Sequence, residues 1–256
     1  MALRYSTAAL NFFAQEGSLK DAFTGGRIEI YTGTQPASAD AAATGTLLCT
    51  ITNNSLAHTP AVLATGTVTL TAGAAGSVDT VTVNGVNILG AAVPFNATLT
   101  QTAADVATAI NRTISTTDYN ASSAGAVVTI RARRGSGVAP NGLVVAATST
   151  TITTSTTNMA GGVVAVNGLN LGVASAGTID KDPTQVWSGV NVATGVAGWY
   201  RRYSCLADSG ALDSAAQFVR EDGAYQTSGG ELNGSTTFTI GLPSFIGQLA
   251  TTETTL

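Results

Sequence analysis

What most constrains this chain is an interruption in its strand pattern. Alternating β segments open within residues 27–52, break off, and resume within residues 186–203. Between them lies a Thr/Ala/Gly-rich stretch, residues 66–162, with strand patterns and a helix pattern of its own. A whole domain grafted into a loop is tolerated where the host's chain ends lie at the surface. The expectation is a mainly β protein. A split β-sandwich host domain takes residues 1–60 and 165–256, with short N-terminal helices, and a small inserted α+β domain, one helix on a sheet, takes residues 66–162. At 256 residues the chain can bury two cores.

The local patterns fill in this plan. Tyr5, Ala8, Ala9, Phe12 and Phe13 recur at helical spacing until Gly17 stops the run. Ser18 and Asp21 then stand at capping-box spacing before a second short helix that ends at Gly25-Gly26. These helices either plug the end of the sandwich or dock on a neighbouring subunit. Arg27-Ile28-Glu29-Ile30-Tyr31 alternates as a half-buried strand does. A long turn-rich loop separates it from the strand at 46–52. In the interrupting stretch, residues 67–71 and 78–83 alternate, and Asn84-Gly85 is a two-residue hairpin signal. Residues 101–114 read as a helix capped at Thr102, with Ala103, Val106, Ala107, Ile110 and Ile114 on one face. Residues 126–131 and 143–147 add strands. The host resumes with strands at 186–190 and 198–203, closes with 235–240 and 245–249, and ends in a mobile tail at 251–256.

Composition narrows the function. Charged residues are 10% of the chain, against about 25% for an ordinary soluble protein. Thr, Ser, Asn and Gly must then cover much of the surface, and little like-charge repulsion keeps copies apart. A subunit packed in an assembly fits this, as does a rigid β-protein built from strand-forming Thr and Val. A net charge of −4 argues against a nucleic-acid partner, which calls for a clustered basic face. The one basic run, Arg131, Arg133 and Arg134, reads as a solvated strand edge. The N-terminus lacks the basic start and apolar run of a secretory leader, and no apolar stretch reaches the ~18 residues of a membrane span.

Chemistry-bearing constellations are few. Cys49 and Cys205 form no CxxC; both fall on strands of the split host, as buried free thiols or as a disulfide formed after release from the cell. One histidine, His58, leaves no zinc set and gives any serine or cysteine triad a single candidate base. The glycine-rich loop at 135–142 lacks the Lys-Ser/Thr ending of a phosphate loop. Asp180 and Asp182 are too few ligands for calcium and suit a turn beside Pro183. Glu221-Asp222-Gly223 reads as a turn, and adjacent Glu221 and Asp222 on a strand or turn point apart, unlike a glycosidase pair. No catalytic, metal-binding or cofactor-binding residue is expected.

Several stretches resemble structural proteins of tailed bacteriophages. They are Gly17-Ser18-Leu19-Lys20-Asp21-Ala22-Phe23, the run from Gly26 to Ala42, and the run from Thr44 to Ile51. Downstream come Gly198-Trp199-Tyr200-Arg201-Arg202-Tyr203, Arg220-Glu221-Asp222-Gly223 and the run from Thr227 to Asn233. The interrupting stretch is similar in pattern to small domains of phage tail sheath and fibre proteins. The resemblance implies a place in the virion, without fixing the layer, and transfers no catalytic or metal residue. The expected function is a non-enzymatic virion subunit, assembled in the host cytoplasm into a ring-like collar or neck at the head–tail junction. It would be a homo-oligomer that contacts other virion proteins (portal or connector, tail, or major capsid protein), with no nucleic acid, membrane or cofactor. The alternatives are a capsid decoration protein, a tail fibre or adhesin module that binds a receptor, and a sugar hydrolase built on Glu221 and Asp222. Candidate subunit contacts are Phe12, Phe13, Tyr200, Arg201, Arg202 and Tyr203, since interfaces favour aromatics and Arg; a folded core accounts for the aromatics equally well.

Overall fold

The computed structural model describes residues 2–113, 119–175, 178–214, 217–228, 231–247 and 251–252. With 43% of residues in strands and 12% in helices, the chain is mainly β, built from several antiparallel sheets. It divides into two compact units, one formed by Met1–Ala61 with Ala165–Leu256 and the other by Val62–Val164.

The first unit opens with strand β1 (Arg4–Tyr5), helices α1 (Thr7–Gln15) and α2 (Leu19–Phe23), and strands β2 (Arg27–Thr32) and β3 (Leu47–Asn53). The second unit follows with β4 (Thr65–Ala72), β5 (Ser77–Val83), β6 (Val86–Asn87), β7 (Val93–Pro94), α3 (Leu99–Arg112), β8 (Tyr119–Ala124), β9 (Val127–Ala132), β10 (Val145–Thr150) and β11 (Thr153–Ala160). The chain then completes the first unit with β12 (Thr178–Ile179), β13 (Trp187–Val190), β14 (Gly195–Tyr203), β15 (Arg220–Gln226), β16 (Leu232–Asn233), β17 (Thr237–Phe238), β18 (Pro243–Phe245) and β19 (Thr251–Thr252).

In the first unit nine strands share one sheet, ordered β1-β15-β14-β2-β3-β13-β18, with β16 beside β15 and β17 beside β14. Strand alternation gives this sheet two different faces. Ile28, Ile30, Cys49, Ile51, Trp187 and Tyr200 point to an inner face. There they meet Ala9 and Phe12 of α1, Leu19 and Phe23 of α2, and Leu169 and Leu171 of the connecting chain. Both helices are capped locally. Ser6 Oγ accepts the Ala9 amide, and Ser18 and Asp21 form a reciprocal capping box. Thr251–Thr252, expected in a mobile tail, instead pair with Thr178–Ile179; residues 253–256 lie outside the described residues.

In the second unit two four-stranded sheets, β11-β4-β9-β8 and β10-β5-β6 with β7, share one aliphatic core with α3. That is one sheet more than the sequence pattern suggests. Val68, Leu70, Val128 and Ile130 come from the first sheet, Val78, Val81, Val83 and Val145 from the second, and Ala103, Val106 and Ile110 from the helix. Asn84 (φ 50°) and Gly85 (φ 81°) close the β5–β6 hairpin, where Val83 faces Val86. The α3 cap is Thr98, whose hydroxyl accepts the Gln101 amide; Thr102 is buried and donates back to the Thr98 carbonyl. Ile114 lies outside the described residues.

Candidate functional site

The densest polar chemistry lies on β14 and β15 of the first unit. Alternation sends Trp199, Arg201 and Tyr203 to the outer face of the sheet and Tyr200 and Arg202 to the inner one. The antiparallel register sets Arg201 opposite Asp222 and Arg202 opposite Glu221, so each guanidinium meets a carboxylate directly across the ladder. Neighbouring β2 adds Glu29 opposite Arg201 and Tyr31 opposite Trp199.

On the outer face Arg201 grips Asp222 bidentately, Nε to Oδ1 and Nη2 to Oδ2, both at 2.7 Å, with both side chains fully buried. Its third nitrogen, Nη1, donates to the Ala41 carbonyl at 2.9 Å. Arg220 holds Asp208 in the same forked way at 2.7 and 2.8 Å and donates to the carbonyls of Leu212, Asp40 and Ala41. Arg27 Nε donates to Glu29 at 2.8 Å, and its guanidinium lies 4.1 Å from the Tyr203 ring centre. Tyr31 donates to Glu29, and its ring stacks on Trp199 at 4.7 Å. On the inner face Glu221 Oε1 accepts from Tyr200 at 2.9 Å and lies 3.0 Å from Arg202 Nη2; Arg202 in turn packs over Phe23.

The electrostatics are those of a dry interior. Burial, reinforced by nearby Glu221, raises the Tyr200 phenol well above its ordinary range, and burial with Glu29 does the same for Tyr31 and Tyr203. Burial also raises the Glu221 and Asp222 carboxyls, against the pull of Arg202 and Arg201. The arrangement therefore works as an anchor. Its outer-face guanidinium groups satisfy the carbonyls of Asp40, Ala41 and Leu212 in stretches without ladder partners, residues 33–46 and 204–214, and clamp them over the sheet. The clamp is completed by Ala42 N–H to Asp213 at 2.9 Å, Ser214 N–H to the Asp40 carbonyl, and Asp40 accepting the amide and hydroxyl of Thr7 at the start of α1.

The proposed contact residues need correction. Phe12, Tyr200, Arg201, Arg202 and Tyr203 are all buried within their own unit, and Phe13 is half-buried against Tyr5 at 5.1 Å. For the four on β14 the reason is two-sided cover of its second half: helices pack on one face and clamped loops on the other, so from Trp199 to Tyr203 neither set of alternating side chains reaches solvent. Cys49 and Cys205 are both buried. Burial pushes the Cys49 thiol up to about 12, which removes it as a nucleophile at neutral pH.

The remaining motifs resolve into turns and caps. His58 Nε2 lies 3.0 Å from the Gly25 carbonyl, and burial holds its pKa below the usual value. Asp182 accepts the hydroxyl and amide of Thr184, which hold its carboxyl low. The turn expected at 221–223 is instead part of β15, held extended by its pairing with β14. Glu221 and Asp222 face opposite sides of the sheet, each on its own arginine. The second unit has an open cleft of about 540 Å³ between residues 89–94 and α3, walled by Leu89, Val93 and Ala109 with Asp105 and Arg112 at its border. Asp105 is already engaged by Asn96 at 2.7 Å.

Sequence reasoning missed Arg27, Glu29, Asp208 and Arg220. One signal was present: Arg201-Arg202 and Glu221-Asp222 are complementary in sign and lie on consecutive strands. Among the described residues no group of three or more His, Cys, Asp or Glu could hold a metal ion, and no helix is long and apolar enough to cross a membrane. No family model, curated protein or solved structure matches this chain.

Proposed function

We propose that the chain is a non-enzymatic structural subunit of a tailed-phage virion, one of a ring of identical copies forming a collar or neck at the head–tail junction. The finer architecture belongs to the same reading: a split β-sandwich host interrupted by an inserted α+β domain. One observation carries it. Three of the 11 basic residues, Arg201, Arg202 and Arg220, are buried on carboxylates inside the fold. A chain already poor in charge thus spends part of that charge on holding its own loops. What remains outside is a surface of threonine, serine and exposed valine with little charge to keep neighbours apart. The stretches that resemble virion proteins, Gly198 to Tyr203 and Arg220 to Gly223, are the strands of this anchor.

The test is mass spectrometry of purified particles combined with imaging of the junction. A symmetric ring containing this chain is the expected result. Its absence from particles ends the reading, and a copy number matching the shell lattice replaces the collar with a capsid decoration role.

A further inference from the structure

The outer face of the first unit's sheet is covered unevenly. Over β15, β14 and β2 the two clamped loops seal it, leaving Arg201, Arg220 and Asp222 wholly buried. At the other end, over β13 and β18, the cover is partial: Ser188 is 3% exposed beneath the Ser55 hydroxyl and Thr52 is 4% exposed on the Leu56 carbonyl, while the side chains beyond them stand in water. Ser188 pairs with Phe245 and Val190 with Pro243, so Val190, Pro243 and Phe245 point to the same outer side. Their inward neighbours are core: Trp187 and Ile246 are 2% and 3% exposed. Val190 and Phe245 are 52% and 60% exposed.

The patch continues beyond these strands and is held in place. Asn191 donates its backbone amide to the Leu242 carbonyl and its side-chain amide to the Thr239 carbonyl, and its carbonyl accepts from Gly241. This fixes Ile240 and Leu242 beside Val190 and Val192, and all four are more than half exposed. Together these aliphatic and aromatic side chains leave on the order of 500 Å² of apolar surface in water, at the upper end of what a monomer exposes and most of the ~800 Å² a partner contributes to a standard interface.

We infer that this bare end of the sheet, centred on Val190 and Phe245, is a docking face for a second copy of the same chain. Two observations select that occupant. No Asp, Glu, Lys or Arg occurs from Val186 through Tyr200 or from Leu232 through Thr252. The face therefore carries no charge pattern with which to choose a different protein, and only a neutral, aliphatic, gently pleated surface meets it without stranding a charge. The same face on another copy is such a surface. Where its outer side is left uncovered the sheet also lacks the second layer that β architectures use to bury apolar side chains, and two such faces stack at about 10 Å with their side chains interleaved.

A face that meets its own counterpart closes as a dimer, so this contact stands apart from the proposed ring, which needs a second, head-to-tail surface. The experiment is light-scattering mass measurement on the full chain at about 10 µM, where a micromolar interface is mostly formed and one weakened a hundredfold is mostly apart. Three proteins are compared: wild type, Val190→Lys with Phe245→Lys, and Val190→Glu with Phe245→Glu. Both positions are exposed, so tryptophan emission should report native folds; if the double variants unfold, Phe245→Lys and Phe245→Glu alone make the same comparison. Wild type should associate, each charged variant should be a monomer with its dissociation constant raised at least about a hundredfold, and mixing the Lys and Glu variants should restore the complex. A monomeric wild type overturns the inference, as do charged variants that still associate or a mixture that stays monomeric. A chain that self-associates through this face yet is missing from particles keeps the surface and loses the virion role.

Discussion

In the first unit the buried set includes Glu29, Arg201, Arg202, Arg220, Glu221 and Asp222 beside Trp199 and Tyr200. In the second it is Val, Ile, Leu, Ala and Met159, with Thr102 as the buried polar side chain among the described residues. The difference follows from what each unit must hold. The second has more of its length in ladders and a helix, and its long connection at 133–144 is held by its own backbone turns and by Asn141 on Gly162. Its backbone groups therefore pair without buried charge, and apolar area supplies cohesion. The first carries long connections without a ladder, at 33–46 and 204–214, whose carbonyls need donors. Guanidinium groups reach several carbonyls at once, and their carboxylate partners offset the cost of burying them. Charge in this chain fixes irregular backbone, and aliphatic volume fixes regular backbone.

The largest effect should come from breaking one half of a pair. Asp222→Ala leaves the Arg201 guanidinium buried without its counter-charge, at a cost of about 3–5 kcal/mol. Both tryptophans, Trp187 and Trp199, belong to the first unit, so the emission midpoint in urea reads that unit. Replacing both partners, Arg201→Met with Asp222→Leu, should recover most of the loss, short of what the Ala41 carbonyl forfeits. A single variant within about 1 kcal/mol of wild type would mean that the pair contributes no more than an exposed one.

A smaller effect sharpens the other side of the comparison. Ile110 of α3 is fully buried among aliphatic neighbours, and Ile110→Val removes one methylene, at about 0.5–1.5 kcal/mol. Amide exchange in β4 and β9 is the readout, because no tryptophan lies in that unit. A cost above about 3 kcal/mol would show that the second unit, too, depends on more than filled volume.

The same contrast governs how much could be read from residues alone. Strands with one aliphatic face, such as β4, β5 and β9, declare themselves by alternation, and Asn84-Gly85 and the Ser18–Asp21 box mark a turn and a helix start. β11, Thr-Thr-Ser-Thr-Thr-Asn-Met-Ala, was illegible because both its faces are largely polar and exposed. It is a strand through its backbone pairing with β4 and the contact between the Thr67 and Thr157 hydroxyls. The anchor was half legible. The signs of Arg201-Arg202 and Glu221-Asp222 match, but hydropathy assigns arginine to the surface. Only the loops that cover β14 overturn that assignment, and those loops have no period to read. Asp208, which sits in one of them, carried no signal at all.

The smallest effect concerns pH. Burial would raise the Asp40 carboxyl, but the Thr7 hydroxyl and amide, the Ser214 hydroxyl and the charge of Arg220 outweigh it and hold its pKa below the ordinary 3.8. A carboxyl whose folded value lies below its unfolded one stabilises the fold above the unfolded value, and that contribution is lost as pH falls toward the folded one. Glu221 and Asp222, raised on folding, have the opposite sign: they bind protons more tightly when folded, so their term declines as pH climbs through the window above their unfolded values. Between about pH 3 and 5 the two contributions oppose each other. Asp40→Asn keeps a carbonyl acceptor for Thr7 but removes the titration, so urea midpoints of the first unit should fall less steeply below pH 4 than those of wild type, with a loss at pH 7 of well under about 1 kcal/mol for so exposed a group. Parallel acid limbs in the two proteins would remove Asp40 from the acid response and leave the loss to other carboxyls held low, such as Asp182.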